Sequence, residues 1–522
     1  MLELTRRAPG RVFNMAVPLV DRHVKEGRGS RPALRTDAST ISYADLQALI
    51  NRAGNALRTA GVAPEQRVAI LLPDGPEFVA MFIGAMKMGA VPVPINTAAR
   101  QAELRFMLDD SRARALVVHA GLMDAVAGSV PTVLVVGGED ASFAAALQSA
   151  SPVLDAFPTG VDEPCYWLYS SGTTGSPKGV VHLHGDMLAC VTPYAEQVVR
   201  IEPEDSTFSV ARLFFSYGLV NSLFLPLLAG ASSVLTQERP DVAHTLEVVR
   251  RFRPSLFFSV PTSYAQLCAA MAEMSSERPF ASVRLAISAG EPLPAPLYAR
   301  WRALTGVEVL DGLGSTEAGY IFCSNLPGQV RPGSSGVLIG EHAARIVDEA
   351  GQDARDGESG ELWVRAASTA LFYWNQRERS KQTFCGEWLR TGDRYVRDRD
   401  GYFWYQGRND DVFKVSGQWV SPLEIETCLL SHPDVLECAV VGASDAAGLM
   451  KPRAFVIRRP GASVEAVELQ ALVKAHLQPH KYPRWVEFVD QLPKTASGKV
   501  QRFRLRALEA APPGGASSSE RR

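Results

Sequence analysis

Tyr169-Ser170-Ser171-Gly172-Thr173-Thr174-Gly175-Ser176-Pro177-Lys178-Gly179-Val180 is a polar, glycine-rich loop entered from the apolar run 166–168 and left through Val180 and Val181. Its glycines let the backbone reach positive φ and approach a ligand closely, while the hydroxyls of Ser170, Ser171, Thr173, Thr174 and Ser176 can donate to phosphate oxygens. Lys178 adds a point charge beside them. The Walker loop requires Gly-Lys followed by Ser or Thr, and Lys178 stands between Pro177 and Gly179, so that reading fails. A flexible linker is also a poor fit, because linkers seldom carry Pro-Lys and run directly into an apolar strand. The loop reads as a phosphate cradle.

The remainder of the chain is that of a large globular protein. With 522 residues it divides into several domains or subdomains; 46% are hydrophobic and 21% charged, and a net charge of −2 leaves no electrostatic footprint for nucleic acid. The seven cysteines (165, 190, 268, 323, 385, 428 and 438) form no Cys-x-x-Cys pair, which indicates neither a disulfide framework nor a zinc site. No run reaches the ~20 apolar residues of a membrane span and no signal peptide is visible, so a cytoplasmic location without membrane association is expected.

Taken in order, the first 35 residues show little periodicity. Ser42 then caps an expected helix with Leu46, Leu49, Ile50, Ala53 and Leu57 on one face, ending near Gly61. Strands are expected at 68–72, 91–95, 115–119 and 132–136 with a helix over 77–89, the alternation of a mostly parallel sheet. His182 and His184 share one face of a strand, but two imidazoles without a third ligand nearby do not make a metal site. In 212–228 the run 223–228 reads as core. Phe214, Phe215 and Tyr217 are interrupted by Ser216, Gly218 and Asn221, which suggests a flat pocket for an acyl group.

Two further strands, 256–260 and 285–287, each end in a turn of small or polar residues, where ligand crevices of open α/β sheets lie; the second turn carries Ala289, Gly290 and Glu291. Asp311-Gly312-Leu313-Gly314-Ser315-Thr316-Glu317 begins like a dinucleotide fingerprint but has Glu317 where the third glycine belongs. Farther on stand Arg390-Thr391-Gly392-Asp393, then Arg408-Asn409-Asp410-Asp411, then Ser416-Gly417-Gln418-Trp419, and near the end Pro493-Lys-Thr-Ala-Ser-Gly-Lys499.

These motifs, in this order, resemble the adenylate-forming superfamily of acyl-CoA synthetases, adenylation domains and luciferases. The resemblance covers nearly the whole chain. It implies an α/β fold with a large N-terminal domain of layered sheets and helices and a small mobile C-terminal α+β domain, here 1–409 and 410–508, before a disordered tail at 509–522. It implies that ATP is held by the 170–178 loop, by Ala289, Gly290 and Glu291, by Asp311, Gly312 and Leu313, and by Asp393 and Arg408 at the ribose hydroxyls. Thr316 would touch phosphate, Glu317 would hold Mg²⁺, and Lys499 would be the catalytic lysine. Asp410 matches the hinge about which the small domain turns between half-reactions, and Ser416, Gly417 and Trp419 match the stretch that meets coenzyme A.

Within the superfamily, the segment 214–217, Gly-Ser-Thr-Glu with 321–325 behind it, and Gly417-Gln-Trp419 look like the benzoate-CoA ligase branch. The expected partners are a small aromatic acid, ATP and CoA, in a monomer or homodimer. Departures from the family pattern are informative. Leu313 replaces a tyrosine that often stacks on adenine, and Phe215 stands where many relatives have histidine. No aspartate for an amino-acid amine is seen nearby, which argues against α-amino acids. Phe214, Phe215, Tyr217, Gly312, Ala318, Gly319 and Tyr320 are the expected acid-binding residues. Ala318 and Gly319 are smaller than usual, which suggests a roomier pocket with the Tyr320 hydroxyl open to a ring substituent and makes 2-aminobenzoate plausible. A stand-alone adenylation enzyme that loads a carrier protein is the rival reading; an inactive nucleotide-binding scaffold is the other, opposed by the presence of Lys178, Glu317, Asp393, Arg408 and Lys499 together.

Overall fold

Ser42 ends an extended stretch, and its hydroxyl accepts the Asp45 N–H at 3.1 Å, which starts the helix Tyr43–Thr59 where the sequence places it. The computed structural model of the chain describes residues 12–126, 128, 130–139, 142–170, 177–238, 240–274, 278–415, 418–445, 448–494 and 500–507. The tail expected at 509–522 lies outside them. The chain divides into a larger unit, Met1–Arg345 with Trp363–Thr391 and Asp400–Phe403, and a smaller one, Ile346–Leu362 with Gly392–Arg399 and Trp404–Arg522. The smaller unit therefore draws on chain well before residue 410.

In the larger unit the strands Arg67–Leu71, Val91–Pro94, Ala115–His119 and Thr132–Val136 form a four-stranded sheet, parallel throughout. A nine-stranded sheet holds the middle of the chain. Its central strands Pro32–Arg35, Ser232–Val234, Ser206–Ser209, Leu256–Ser259, Leu285–Ala289 and Val309–Gly314 run parallel, and antiparallel strands close both ends. Strand Pro32–Arg35 gave no sequence signal because its burial comes from non-local neighbours. A third, antiparallel sheet joins Phe372–Tyr373, Lys178–Leu183 and Pro164–Ser170.

The smaller unit has its own core, in which Ile425, Leu429, Val440, Val456, Leu469 and Val473 pack together. Its three-stranded sheet of Val435–Ser444, Met450–Arg458 and Trp485–Phe488 carries the helices Pro422–Leu430 and Ala466–His476. Both strands expected there, 437–441 and 453–457, lie inside the first two. Among the described residues no helix is long and apolar enough to cross a membrane.

Helices Tyr43–Thr59 and Pro76–Lys87 cross through a pair of glycines. A Cβ on Gly84 would lie 2.8 Å from the Ile50 carbonyl oxygen and 2.9 Å from the Gly54 nitrogen, both backbone atoms that cannot swing away. Gly84→Ala is expected to destabilise the fold by about 1–3 kcal/mol through overpacking. Urea unfolding monitored by circular dichroism measures this, and an unchanged midpoint would show that the helices separate freely.

Candidate active site

The parallel strands of the nine-stranded sheet end in register, Ser259 beside Ser288 and Ala289 beside Gly312, so the turns after them emerge along one carboxyl edge. Ala289 is buried, Gly290 takes φ of 90°, and Glu291 follows. Asp311 is buried under this edge. Its Oδ2 accepts from the Leu293 N–H at 3.3 Å, whereas Oδ1, also buried, has no partner among the described residues. Burial pushes its carboxyl well above the usual range, against the pull of the Leu293 N–H toward the charged form. Gly312 lies against Ile321, whose Cγ2 would stand 3.0 Å from an added Cβ, and Leu313 pairs with Cys323 across the antiparallel edge.

Lys178 begins the strand Lys178–Leu183 directly opposite Ser170. Ser171, Thr173 and Thr174 lie outside the described residues; Ser170 Oγ is buried and has no partner among them. From this strand Lys178 Nζ reaches Glu317 Oε1 at 3.2 Å and the Tyr373 hydroxyl at 3.3 Å, with its charge 4.6 Å above the Tyr373 ring. Tyr373 donates to the same Glu317 oxygen at 2.8 Å. Burial works against a charged Glu317, but the Lys178 ammonium and the Tyr373 hydroxyl prevail and hold its carboxyl below the usual range.

The turn that carries Glu317 is fixed by its carbonyls. Thr316 O accepts from His182 Nε2 at 2.7 Å and Glu317 O from the Ala370 N–H at 2.8 Å; Ala318 O accepts from Ser368 Oγ and Gly319 O from Ser216 Oγ, both at 2.7 Å. Ser216 opens the aromatic segment, so its bond ties that segment to the Glu317 turn. Tyr217 and Tyr320 stack with centroids 6.3 Å apart, Tyr194 meets Tyr320 edge-on at 5.0 Å, and Phe214 packs on Phe215 at 4.5 Å. Gly218 permits this tight turn, since a Cβ there would stand 2.1 Å from the Arg212 carbonyl oxygen.

Three expectations need correction here. Gly319 is at φ of 85°, and its missing Cβ would point at Met187, Cys190 and the Ser368 carbonyl, so the glycine meets a backbone requirement rather than making room for a substrate. The Tyr320 hydroxyl is bonded to Asn221 Oδ1 and is not held open for a ring substituent. An aspartate does stand at the aromatic segment: Asp74 Oδ1 accepts the Leu213 N–H at 3.1 Å and Oδ2 lies 3.5 Å from Arg212 Nη1, so its oxygens are directed at the protein.

In the smaller unit Asp393 Oδ1 accepts from Arg408 Nη1 at 2.9 Å, close to Gly392 at φ of 72°. The Asp410 carbonyl accepts from Arg506 at 3.2 Å, and Asp411 pairs with the same guanidinium at 3.0 Å. Ser416, Gly417 and Lys499 lie outside the described residues, as does the side chain of Trp419, whose backbone pairs with Lys414 in the two-stranded sheet.

Sequence reasoning missed Tyr373, because only the antiparallel register of Tyr373 with Val180 turns it toward Lys178. It also missed Asp186, four residues beyond His182, whose Oδ2 lies 3.0 Å from His182 Nδ1. The two histidines have separate structural partners: His184 Nδ1 accepts the Met15 N–H, and burial pushes that imidazole down to about 3.

The AMP-binding enzyme family matches residues 20–374, and the AMP-binding enzyme C-terminal domain matches 424–499. A benzoate–CoA ligase of Thauera aromatica is 45% identical, covering 95% of this chain and 96% of its own length. A 4-hydroxybenzoate–CoA/benzoate–CoA ligase of Rhodopseudomonas palustris is 42% identical over 96% and 95%. The crystal structure of an anthranilate CoA ligase in complex with anthranoyl-AMP superposes with a TM-score of 0.90 at 38% identity, over 95% of this chain and 97% of that one. With both parts of the family matched along the chain and relatives of this identity over its length, the protein belongs to the AMP-binding, adenylate-forming enzymes, on their benzoate-CoA ligase branch.

Proposed function

We propose that the chain is an ATP-dependent aryl-CoA ligase that converts benzoate, or a benzoate carrying a ring amino or hydroxyl group, to its CoA thioester through an acyl adenylate, releasing AMP and pyrophosphate. The observation that carries this reading is the bond from Ser216 Oγ to Gly319 O, which couples an aromatic cluster suited to a flat acid to the turn bearing Thr316 and Glu317.

The chemical difficulty is that a carboxylate must attack the α-phosphorus of ATP although both are anions. Positive charge must surround the reacting centre. Lys178 provides one such charge beside a loop of hydroxyls and backbone N–H groups, and Ser170 Oγ is a buried hydroxyl still in want of a partner among the described residues. The unpartnered Asp311 Oδ1 is an acceptor of the kind an adenine amino group needs. Asp393 and Arg408 offer an acceptor and donors suited to a sugar diol.

The donor set fits magnesium. Glu317 is an anionic carboxylate, and Mg²⁺ typically takes one or two carboxylates and completes its shell with water and phosphate oxygens. Bound there, the ion supplies neutralisation of the phosphate charge. Tyr373 orients Glu317 for that task through its hydroxyl.

Lys499 is assigned to the first half-reaction, where its charge bridges carboxylate and α-phosphate oxygens. In the second half the CoA thiol attacks the acyl carbon of the mixed anhydride, AMP leaves, and this charge is no longer needed. Ser416, Gly417 and Trp419 are assigned to the pantetheine arm, and Asp410 to the hinge between the two halves; the resemblance of the sequence supports these roles.

CoA-dependent AMP release is expected with benzoate or with an amino- or hydroxybenzoate, and at far lower kcat/KM with a cinnamate or a medium-chain fatty acid; activity confined to the fatty acid overturns the proposal. Lys499→Ala is expected to reduce adenylation by at least about a hundredfold while sparing thioester formation from supplied acyl adenylate, and equal loss of both removes the role given to Lys499. Tyr373→Phe, which deletes one hydrogen bond to Glu317, is expected to raise the magnesium concentration for half-maximal adenylation several-fold, about what one charge-assisted bond is worth. A magnesium titration of the purified variant reads this directly.

A further inference from the structure

His182 belongs to none of the groups assigned to substrate, yet it occupies a junction. Its side chain and that of Asp186 are both wholly shielded from solvent. The ring lies against Tyr166, with centroids 5.1 Å apart and planes 18° from parallel, so its orientation in the core is fixed. Nε2 stands 2.7 Å from Thr316 O, and a carbonyl can only accept, so Nε2 carries a proton. Nδ1 stands 3.0 Å from Asp186 Oδ2, which also accepts the Leu183 N–H at 2.9 Å. A bare ring nitrogen cannot face a bare carboxylate at that distance, so a second proton lies between imidazole and carboxyl. Asp186 opens the helix Asp186–Tyr194, whose N-terminal dipole favours negative charge there.

Thr316 O also accepts the turn's own Gly319 N–H at 3.1 Å; of the four donors from outside the turn that hold the carbonyls of residues 316–319, His182 is the sole ring, the others being a backbone N–H and two serine hydroxyls. It is also the donor that comes from the strand bearing Lys178. Two ties therefore join that strand to the turn: Lys178 with Glu317, and His182 with Thr316. The first must yield when a nucleotide takes the lysine. The second need not.

We propose that His182, oriented by the proton it shares with Asp186, is a positioning residue that keeps Thr316 and Glu317 in place for the ATP phosphates and their magnesium when Lys178 turns to the nucleotide. The inference rests on the reading of Thr316 and Glu317 as the phosphate and magnesium turn. It assigns the strength of MgATP binding, and not that of the aromatic acid, to this buried pair; the acid side of the turn is held instead through Ser216 and Gly319.

Calorimetric titration of MgATP into the full chain, without acid or CoA, tests it. His182→Phe keeps the flat ring and loses the donor, and should bind MgATP about tenfold more weakly, as expected for a lost buried bond of this kind. His182→Gln, which can still donate to Thr316 O, should recover most of the affinity. The KM for the acid should stay within about twofold in both, because no bond on the acid side is altered. In proton NMR the wild type should show a slowly exchanging resonance far downfield of the amides, absent from both variants. Wild-type affinity in His182→Phe alongside a lowered melting temperature makes the pair merely structural and overturns the proposal, as does equal weakening toward acid and MgATP. If His182→Phe does not fold, Asp186→Leu carries the test: it keeps the imidazole but removes the shared proton's acceptor, and unchanged MgATP affinity overturns the proposal. A wild type that binds no MgATP overturns the functional reading, and this inference with it.

Discussion

The contact on which the site depends is the ion pair between Lys178 and Glu317, side chains only 15% exposed and 139 residues apart in sequence. Such a pair is a poor device for stability, because removing two charges from water costs about as much as their attraction returns. It is tolerable here because each member has further support: the Tyr373 hydroxyl donates to Glu317, and the Tyr373 ring lies beneath the ammonium. What the arrangement gains is a lysine and a carboxylate stored together, both largely shielded from solvent. On the proposed function, a nucleotide with its phosphates and magnesium takes up both charges at once, which offsets the loss of their bond to each other.

Keeping that pair in place constrains the backbone around it. The strand Lys178–Leu183 lies at the middle of its sheet, with Pro164–Ser170 on one side and Phe372–Tyr373 on the other, and is buried along almost its whole length. Opposite it, the turn of Glu317 supplies only one donor to its own carbonyls, the Gly319 N–H to Thr316 O at 3.1 Å. Buried carbonyls need donors, and they come from the Lys178 strand, the 368–370 loop and the aromatic helix. Each anchor therefore removes one way for Glu317 to drift. The same requirement explains why polar residues punctuate apolar sequence at Ser216 and Ser368.

This also separates what the sequence discloses from what it hides. The Gly-Ser-Thr-Glu turn, the capped helix at Ser42 and the strand–helix alternation before residue 140 are written in local pattern, and the structure follows them within a residue or two. Tyr373 acts through partners brought by tertiary pairing, and nothing in its own neighbourhood marks it; Asp186 stands at a local spacing from His182 that the pattern does carry, and Ser216 shows in the sequence only as a break in the aromatic run. Gly319 was misread for a related reason. A small residue in a site invites a reading in terms of substrate room, whereas positive φ and three close neighbours already require it. Strand Pro32–Arg35 was invisible because four residues carry too little periodicity to stand out.

The aromatic cluster shows how far substrate choice can be built from the same parts. The Tyr217 hydroxyl donates to the Ser259 and Ile287 carbonyls at 3.2 Å, Tyr320 bonds Asn221, and Asp74 is turned toward Leu213 and Arg212. Burial pushes Asp74 up to about 6, which still leaves it mostly charged at neutral pH, but its oxygens are already engaged by the Leu213 N–H and Arg212. An α-amino acid would bring its ammonium to Asp74 oxygens that are already engaged, at a cost on the order of several kcal/mol where it is buried unpaired. A benzoate presents apolar faces and asks for no such partner. Where a wall recognises mainly shape, a small added polar group is rejected weakly, typically by a factor of about a hundred or less. On the proposed function, a surface of this kind separates aromatic from amino acids sharply and one benzoate from another only gently.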